Sequence, residues 1–182
     1  MQATLVVEDE SGFSLVSPLK RTWAPRGQTP CVRTSLDHHE RLNLLGAVLV
    51  TPKSRRLKLM IRSHRRTLRG EEVIAFLTAL LRRIRGPIVL VWDNHPIHQR
   101  KMVQAFLAQH ERLHIYDLPT GAPELNPMEW VWEQVDEHTA GTAPHNQFEL
   151  RATVMAGVAR IRRSQQRLRA GFLGAHLKLG NA

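Results

Sequence analysis

Cysteine and long apolar runs are scarce in this sequence. The single cysteine, Cys31, excludes a disulfide within the chain and fits a reducing compartment. The apolar run at 44–50 is far shorter than the ~20 residues that a membrane helix needs, and Pro52 follows it closely. The N-terminus reaches acidic residues by position 8 without a basic segment, so we expect no signal peptide and a cytoplasmic location.

Acidic residues are also few relative to basic ones. The chain has 26 Lys and Arg against 16 Asp and Glu, a formal net charge of +10. Such a balance indicates a polyanionic partner, usually nucleic acid, with a merely soluble basic surface as the alternative. The 182 residues and 42% hydrophobic content suit one globular unit, and we predict a single domain over 1–182.

The hydrophobic pattern changes along the chain. Residues 4–9 and 13–17 predict a hairpin around a turn at 10–12, and after a polar connector at 18–41 two further strands are predicted at 42–51 and 57–62. Helices at 71–85, 98–110 and 127–138 then alternate with strands at 87–92 and 113–118. Residues from 147 to roughly 179 are also predicted to be helical, within a basic C-terminal region, 147–182. This order predicts an α/β fold, a ribonuclease-H-like mixed sheet flanked by helices, with a flavodoxin-like domain as the alternative.

Three acidic residues fall where such a fold places ligands. Asp9 ends the first strand, and strand alternation turns Glu8 and Glu10 to the opposite face. Asp93 directly follows the strand at 87–92, and Glu129 lies in the first turn of the helix at 127–138. If the first strand pairs beside 87–92, these acids converge, and a hard divalent cation, Mg²⁺ or Mn²⁺, is the simplest reason for their convergence.

Each acid also has a structural interpretation. Asp9 is a common turn residue, and Asp93 with Asn94 fits an Asx-turn that ends a strand. Asn126 is a good N-cap, and Glu129 three residues later completes a variant of the capping box. No single acid therefore decides between the structural and the metal-binding interpretation.

Three motifs together resemble those of mariner-like DDE transposases, in particular their bacterial insertion-sequence branch. They are VVEDESGF at 6–13, VLVWDNHPIH at 89–98 and LPTGAPELNPMEWVWEQV at 118–135, and the connector WAPRGQ at 23–28 is similar too. The resemblance spans residues 5 to about 137. Its family pattern matches, in this sequence, Asp93, Asn94, His98, Asn126, Pro127, Glu129 and Trp132.

The resemblance implies an activity and a set of ligands. It implies a ribonuclease-H-like fold, two Mg²⁺ ions that Mn²⁺ can replace, cleavage of DNA at transposon ends, and attack of a 3′-hydroxyl on target DNA. Asp9 would bridge both ions, with Asp93 on one ion and Glu129 on the other. We expect Asn94 and Asn126 beside these ligands; His98 either lies there too or caps the following helix.

The resemblance also implies partners. We expect DNA, both transposon ends and target, a homodimer, and a location with the bacterial nucleoid. The family's N-terminal helix-turn-helix domains have no counterpart before the first motif, so we expect a separate helix-turn-helix subunit or a frameshift-fused N-terminal half. A catalytically inactive DNA-binding remnant and another ribonuclease-H-like nuclease are the alternative functions.

Two basic stretches are the candidate DNA contacts. Residues 53–69 carry eight Lys and Arg and residues 148–182 carry seven, against a single Glu in both. Arginine binds phosphate through a planar fork of donors, so we expect part of this set to contact the DNA backbone. The predicted contacts are Arg26, Arg55, Arg56, Arg62, Arg65, Arg66, Arg162 and Arg163. Trp132 is predicted to lie in the core, and Trp130 to be more exposed.

Overall fold

A five-stranded mixed sheet forms the centre of the computed structural model, which describes residues 2–16, 23–28, 31 and 40–179. The strands are β1 Thr4–Ser14, β2 Arg41–Val50, β3 Leu57–His64, β4 Ile88–Trp92 and β5 Leu113–Asp117, in the spatial order β3-β2-β1-β4-β5. β1, β2 and β3 pair in antiparallel fashion, whereas β4 and β5 run parallel to β1. The predicted mixed sheet is confirmed, and most of the connector at 18–41 lies outside the described residues.

The predicted hairpin around residues 10–12 is wrong, because β1 continues without a turn to Ser14. Every residue from Leu5 to Ser14 has a partner on β2, with Gly12 opposite Asn43. The turn signals are local, and they lose to a pairing with a strand that lies much further along the chain. As a result β1 extends well beyond its pairing with β4, which ends at Val7.

Within the part of the chain that the structure describes, five helices cover the two faces of the sheet. They are α1 Gly70–Arg83, α2 Lys101–Ala108, α3 Pro127–Thr139, α4 Gln147–Arg162 and α5 Gln165–Gly174, with a short 3-10 turn at Pro123–Leu125. The stretch predicted as helical over roughly 147–179 forms two helices, because Ser164 Oγ accepts from the backbone N–H of Arg167 and starts a new helix. Gln165 bonds both backbone groups of Leu57, which docks the start of α5 on β3.

Side chains alternate between two cores, one on each face of the sheet. Val7 faces the core that α3, α4 and α5 cover, which includes Trp132. Val6 faces the core that α1 and α2 cover, which includes Phe76 and Val103. The same alternation along β1 decides which side each acidic residue approaches. Among the described residues no helix has both the length and the apolar character to span a bilayer.

Candidate active site at the rim of the sheet

The two aspartates meet where β1 and β4 part. The parallel pairing runs from Thr4 opposite Ile88 to Val7 opposite Val91, so Asp9 and Asp93 follow the last pair by the same two residues. Carboxylate oxygens of Asp9, Asp93 and Glu10 lie within 4.8 Å of one another. The predicted convergence of Asp9 and Asp93 is therefore present, and Glu10 joins it.

Helix α3 brings the third acid to the same place. Asp9, Asp93 and Glu129 line one open cleft of about 370 Å³, which the loop at 118–123 closes on one side. Asn126 is the N-cap, as predicted: its side chain accepts from the backbone N–H of Met128. The capping box is wrong, because the Asn126 N–H donates to the carbonyl of Pro123 and Glu129 is left free of that role.

A tryptophan fixes one oxygen of Asp9. Trp132 Nε1 donates to Asp9 Oδ2 over 2.8 Å, and the indole packs edge-on against Phe13. Gly46 on β2 lies directly opposite Asp9 on β1, and a Cβ at Gly46 would lie 2.6 Å from Trp132 Cη2. The missing side chain at Gly46 thus makes room for the ring that orients Asp9. Trp132 is buried as predicted, but its hydrogen bond was not foreseen.

The cleft raises the pKa of two of its three acids. Burial and the charge of Glu129 raise the pKa of Asp9 to about 7, although the hydrogen bond from Trp132 opposes this. Burial and the charge of Asp93 raise the pKa of Glu129. The pKa of Asp93 is lowered instead, first by its contact with His98 and against the effect of burial. Negative charge is therefore crowded here, which favours a cation.

Behind Asp93 lies a buried cluster of Glu8, Glu10 and His98. His98 is fully buried and stacks on Trp92 with the ring centroids 3.9 Å apart. Its Nε2 lies 3.4 Å from Glu10 Oε1, 3.4 Å from Asp93 Oδ1 and 3.8 Å from Glu8 Oε2. Neither ring nitrogen of His98 and neither oxygen of Glu8 has a well-formed hydrogen bond within the described residues.

The cluster corrects two expectations. His98 does not cap α2, because that helix begins at Lys101 with Arg100 as N-cap; it lies beside Asp93 instead. Glu10 does face His98, yet its carboxylate also reaches the aspartate pair. Burial raises the pKa of Glu8 well above its usual value and that of Glu10 to about 8. Strand alternation had placed Glu8 and Glu10 on one face, but the sequence analysis gave them no role.

The two asparagines line the cleft as expected. Asn94 Oδ1 accepts from Gln99 Nε2 over 3.3 Å, and Asn126 is buried at the start of α3. Asp93 Oδ1 accepts from the backbone N–H of His95 over 3.0 Å, which is the Asx-turn considered above. The turn and the site are compatible, because the turn fixes Asp93 while its carboxylate still faces the cleft.

The eight predicted DNA contacts lie in separate regions. Arg65 and Arg66 follow β3 at the end of the sheet that also carries the carboxylates, whereas Arg55 and Arg56 lie in the β2–β3 turn at the opposite end. Two others are held by backbone carbonyls: Arg62 donates to Ala75 O and Arg162 donates to Leu59 O. Arg163 is the C-cap of α4, and Arg26 is exposed at 23–28.

The model of the family described as DDE superfamily endonuclease matches residues 4–151 of the chain. The chain belongs to this family of DDE endonucleases. Among curated relatives, the Tc1 transposase of Caenorhabditis elegans is 30% identical over 66 residues, which is 36% of this chain and 24% of that protein. The Tcb2 transposase of Caenorhabditis briggsae is 33% identical over 54 residues, 30% of this chain and 19% of that protein. The matches thus span about a quarter or less of these relatives.

Solved structures agree with the family. The Mos1 strand transfer complex matches with a TM-score of 0.65 at 15% identity, over 94% of this chain and 50% of that one. The catalytic domain of Mos1 mariner transposase matches with a TM-score of 0.51 at 12% identity, over 97% of this chain and 84% of that one. These neighbours confirm the predicted ribonuclease-H-like fold. The DDE endonuclease family is confirmed by the family model, and the bacterial branch stays a prediction.

Proposed function

We propose that this DDE endonuclease chain is the catalytic domain of a transposase that cleaves DNA and joins a 3′-hydroxyl to target DNA. Asp9, Asp93 and Glu129 are its metal-binding residues. The observation that carries the proposal is their arrival, from a strand, a loop and a helix, in one open cleft at the sheet rim. Three dispersed acids with structural alternatives of their own have no other evident reason to share a cleft.

The donor set fits Mg²⁺ or Mn²⁺. The cleft offers carboxylate oxygens, the hard ligands these ions prefer. The raised pKa of Asp9 shows that its negative charge is poorly compensated by the protein alone. Two Mos1 paired-end complexes are described as containing Mg and Mn, which supports the same choice. We propose two ions: Asp9 would be a ligand of both, Asp93 of one and Glu129 of the other. When bound, the ions would activate the attacking oxygen and offset the negative charge on the leaving oxygen.

The protein's own residues position this site. Trp132 holds one oxygen of Asp9, and the Asx-turn to His95 holds one oxygen of Asp93. His98 Nε2 lies 3.4 Å from the same Asp93 oxygen and 3.4 Å from Glu10 Oε1, so the imidazole contacts Asp93 on the side away from the cleft. Preorganised ligands matter because in-line phosphoryl transfer depends on placement within a fraction of an ångström.

Partners follow from this chemistry. The DNA would be transposon ends and target, and Arg65 and Arg66 are the predicted contacts placed at the carboxylate end of the sheet. The matched segments cover half of the Mos1 chain or less than a quarter of the Tc1 transposase, so we include a helix-turn-helix unit, separate or fused, in the proposal. We also retain the homodimer and the bacterial nucleoid, which rest on the family resemblance.

Glu129→Gln tests the proposal, with Glu133→Gln one turn further along α3 as the matched control. Glu129 caps nothing, so the free energy of unfolding should change by about 0.5 kcal/mol or less. A neutral amide is a poor metal ligand, so Mn²⁺ binding should weaken and nicking of supercoiled DNA should fall by at least about 10²-fold. Both properties should survive in Glu133→Gln, whose side chain is exposed.

Metal and DNA assays complete the test. Nicking should occur with Mg²⁺ or Mn²⁺ and be absent with Ca²⁺, whose looser coordination misplaces the reacting groups. Unchanged Mn²⁺ binding and unchanged nicking in Glu129→Gln would remove Glu129 from the site. Nicking that persists in EDTA would refute metal dependence altogether.

A further inference from the structure

Four arginines surround a concave surface at the same end of the sheet as the carboxylates. The cavity holds about 660 Å³ and lies where β2 begins and where β3 passes into α1. We call it the arginine pocket; its basic residues are Arg41, Arg65, Arg66 and Arg69, and its other lining residues are Asn43, Thr67, Glu71 and Glu72. Only two of these four arginines were predicted as DNA contacts.

The arginine pocket carries a net positive charge, because four arginines and only two glutamates, Glu71 and Glu72, line it. All four arginines are exposed, and among the described residues none of their guanidinium groups forms an ion pair. Glu72 is already engaged, because its Oε2 accepts from the backbone N–H of Arg69 over 2.8 Å. Arg112 elsewhere shows the contrast: its guanidinium is satisfied by carbonyls of the α1–β4 connection. Four unpaired guanidinium groups around one cavity favour an anionic ligand.

The backbone around the pocket is fixed in advance. Asn43 Nδ2 donates to the carbonyl of Arg66 over 3.0 Å, which ties the segment after β3 to β2. Gln147 Nε2 donates to the carbonyl of Arg41 over 2.8 Å, which ties the start of β2 to α4. The backbone that carries these arginines is therefore tied to neighbouring elements, and ligand binding would have to order mainly the arginine side chains.

The sheet register gives the offset of the arginine pocket from Asp9 along β1. Arg41 is opposite Ser14, five residues beyond Asp9 on β1. At about 3.4 Å per strand residue this is about 17 Å. A DNA duplex rises about 3.4 Å per base pair, so for a duplex that runs along β1 the same offset corresponds to about five base pairs.

We propose that the arginine pocket binds backbone phosphates of the DNA duplex about five base pairs from the phosphate that lies over Asp9, Asp93 and Glu129. This rests on the proposed function, because it takes its substrate from it. The pocket is open, is spread over about 660 Å³ and presents guanidinium forks, features that suit a row of phosphates along a duplex better than one small anion. Such contacts set the register of the DNA without reading its sequence.

The test measures binding of duplexes that grow by single base pairs, from 2 to 12, away from a fixed 3′ end. Binding is measured in Ca²⁺, to occupy the carboxylates without cleavage, and again in EDTA. The affinity of the wild-type chain should step up by about tenfold once the duplex passes about five base pairs. Arg65→Ala/Arg66→Ala should abolish the step and lower the slope of log affinity against log salt by about 2.

Arg82→Ala/Arg83→Ala is the matched control, because it removes the same charge from the other end of α1. That helix has 14 residues, so the two pairs are about 20 Å apart. The control should keep the length step. An equal loss at every duplex length, an equal loss in the control, or no step in the wild type would each overturn the proposal, and a pocket for free phosphate would show no dependence on length.

The two proposals fail in different ways. If the carboxylates do not bind metal and DNA, Ca²⁺ will not strengthen binding and Asp9→Asn will bind DNA like the wild type. If only the arginine pocket is wrongly assigned, Ca²⁺ will still strengthen binding, but the step near five base pairs will be missing.

Discussion

Trp132→Phe tests how the fold sets the charge of Asp9. The substitution keeps an aromatic ring against Phe13 and removes the indole N–H that donates to Asp9 Oδ2. Burial and the charge of Glu129 raise the pKa of Asp9 to about 7, and the hydrogen bond from Trp132 limits that rise. Without it, Asp9 should hold a proton more tightly, and a metal ion must displace that proton to bind.

The size of the effect follows from the hydrogen bond. A bond to a charged group contributes about 1.5–3 kcal/mol, and about 1.4 kcal/mol moves a proton equilibrium tenfold. With a pKa of about 7, about half of Asp9 is ionised at pH 7 in the wild type. A tenfold change leaves about one tenth ionised, so apparent metal affinity should fall about fivefold at pH 7 and little at pH 9. The smaller ring should also lower stability by about 1–3 kcal/mol.

Calorimetric titration with Mn²⁺ at pH 7 and pH 9, beside thermal unfolding, measures both effects. Trp130→Phe is the control, because Trp130 lies two residues earlier on α3, is 40% exposed and packs beside Gly171 and Gly174 of α5. It should bind Mn²⁺ like the wild type at both values of pH. An equal loss of affinity at pH 7 and pH 9 in Trp132→Phe would refute the reasoning, since packing damage alone would then explain it.

Three further predictions concern the acids and their surroundings. The pKa values of Asp9 and Glu10 in the folded protein, about 7 and about 8, exceed their unfolded values, so the folded state binds more protons than the unfolded state. In EDTA the Tm should therefore rise as the pH falls from 9 to 6. A Tm that falls over this range would contradict the prediction. The amide of Glu8→Gln is neutral, so it can be buried without taking up a proton, as the Glu8 carboxylate must. The variant should therefore raise the Tm by about 2–4 °C at pH 8 and by less at pH 5. A lower Tm at pH 8 would show that the charge of Glu8 is needed. Gly46→Ala should push the Trp132 ring away from Asp9 and lower stability by about 1–3 kcal/mol. It should also show the same pH-dependent loss of Mn²⁺ affinity as Trp132→Phe. Normal Mn²⁺ binding by this variant would argue that Gly46 does not make room for the ring.

The sequence predicts the frame of the site because short-range patterns determine it. Alternation along 4–9 and the apolar run at 87–92 place Asp9 and Asp93 just beyond two neighbouring apolar stretches, and Asn126 with Pro127 marks the start of the helix that carries Glu129. Each of these signals spans only a few residues. The pairing of β1 with β4 then converts them into one cleft.

The features that the sequence did not predict arise from contacts between segments far apart in the chain. The Ser11-Gly12 turn signal gives way to pairing with β2, and the hydrogen bond from Trp132 to Asp9 joins residues 123 positions apart. The burial of His98 between Glu8 and Glu10 depends on a loop folding back onto Trp92. No local pattern announces these contacts, although two glutamates on one strand face were a signal that could have been followed.

The three acids differ in how firmly the backbone beneath them is held. Asp9 lies within β1, which stays paired with β2 for five residues beyond it, whereas Asp93 lies on a loop and Glu129 in the first turn of a helix. Amide hydrogens of central strands exchange with solvent only on global unfolding, while those of loops and helix ends exchange through local openings. On the proposed assignment, Asp9 would therefore be the stationary metal ligand, and Asp93 and Glu129 the two that can move. Metal ions would then enter and leave by small movements of the loop and the helix end, and we expect mutations there to change their residence time without weakening the sheet.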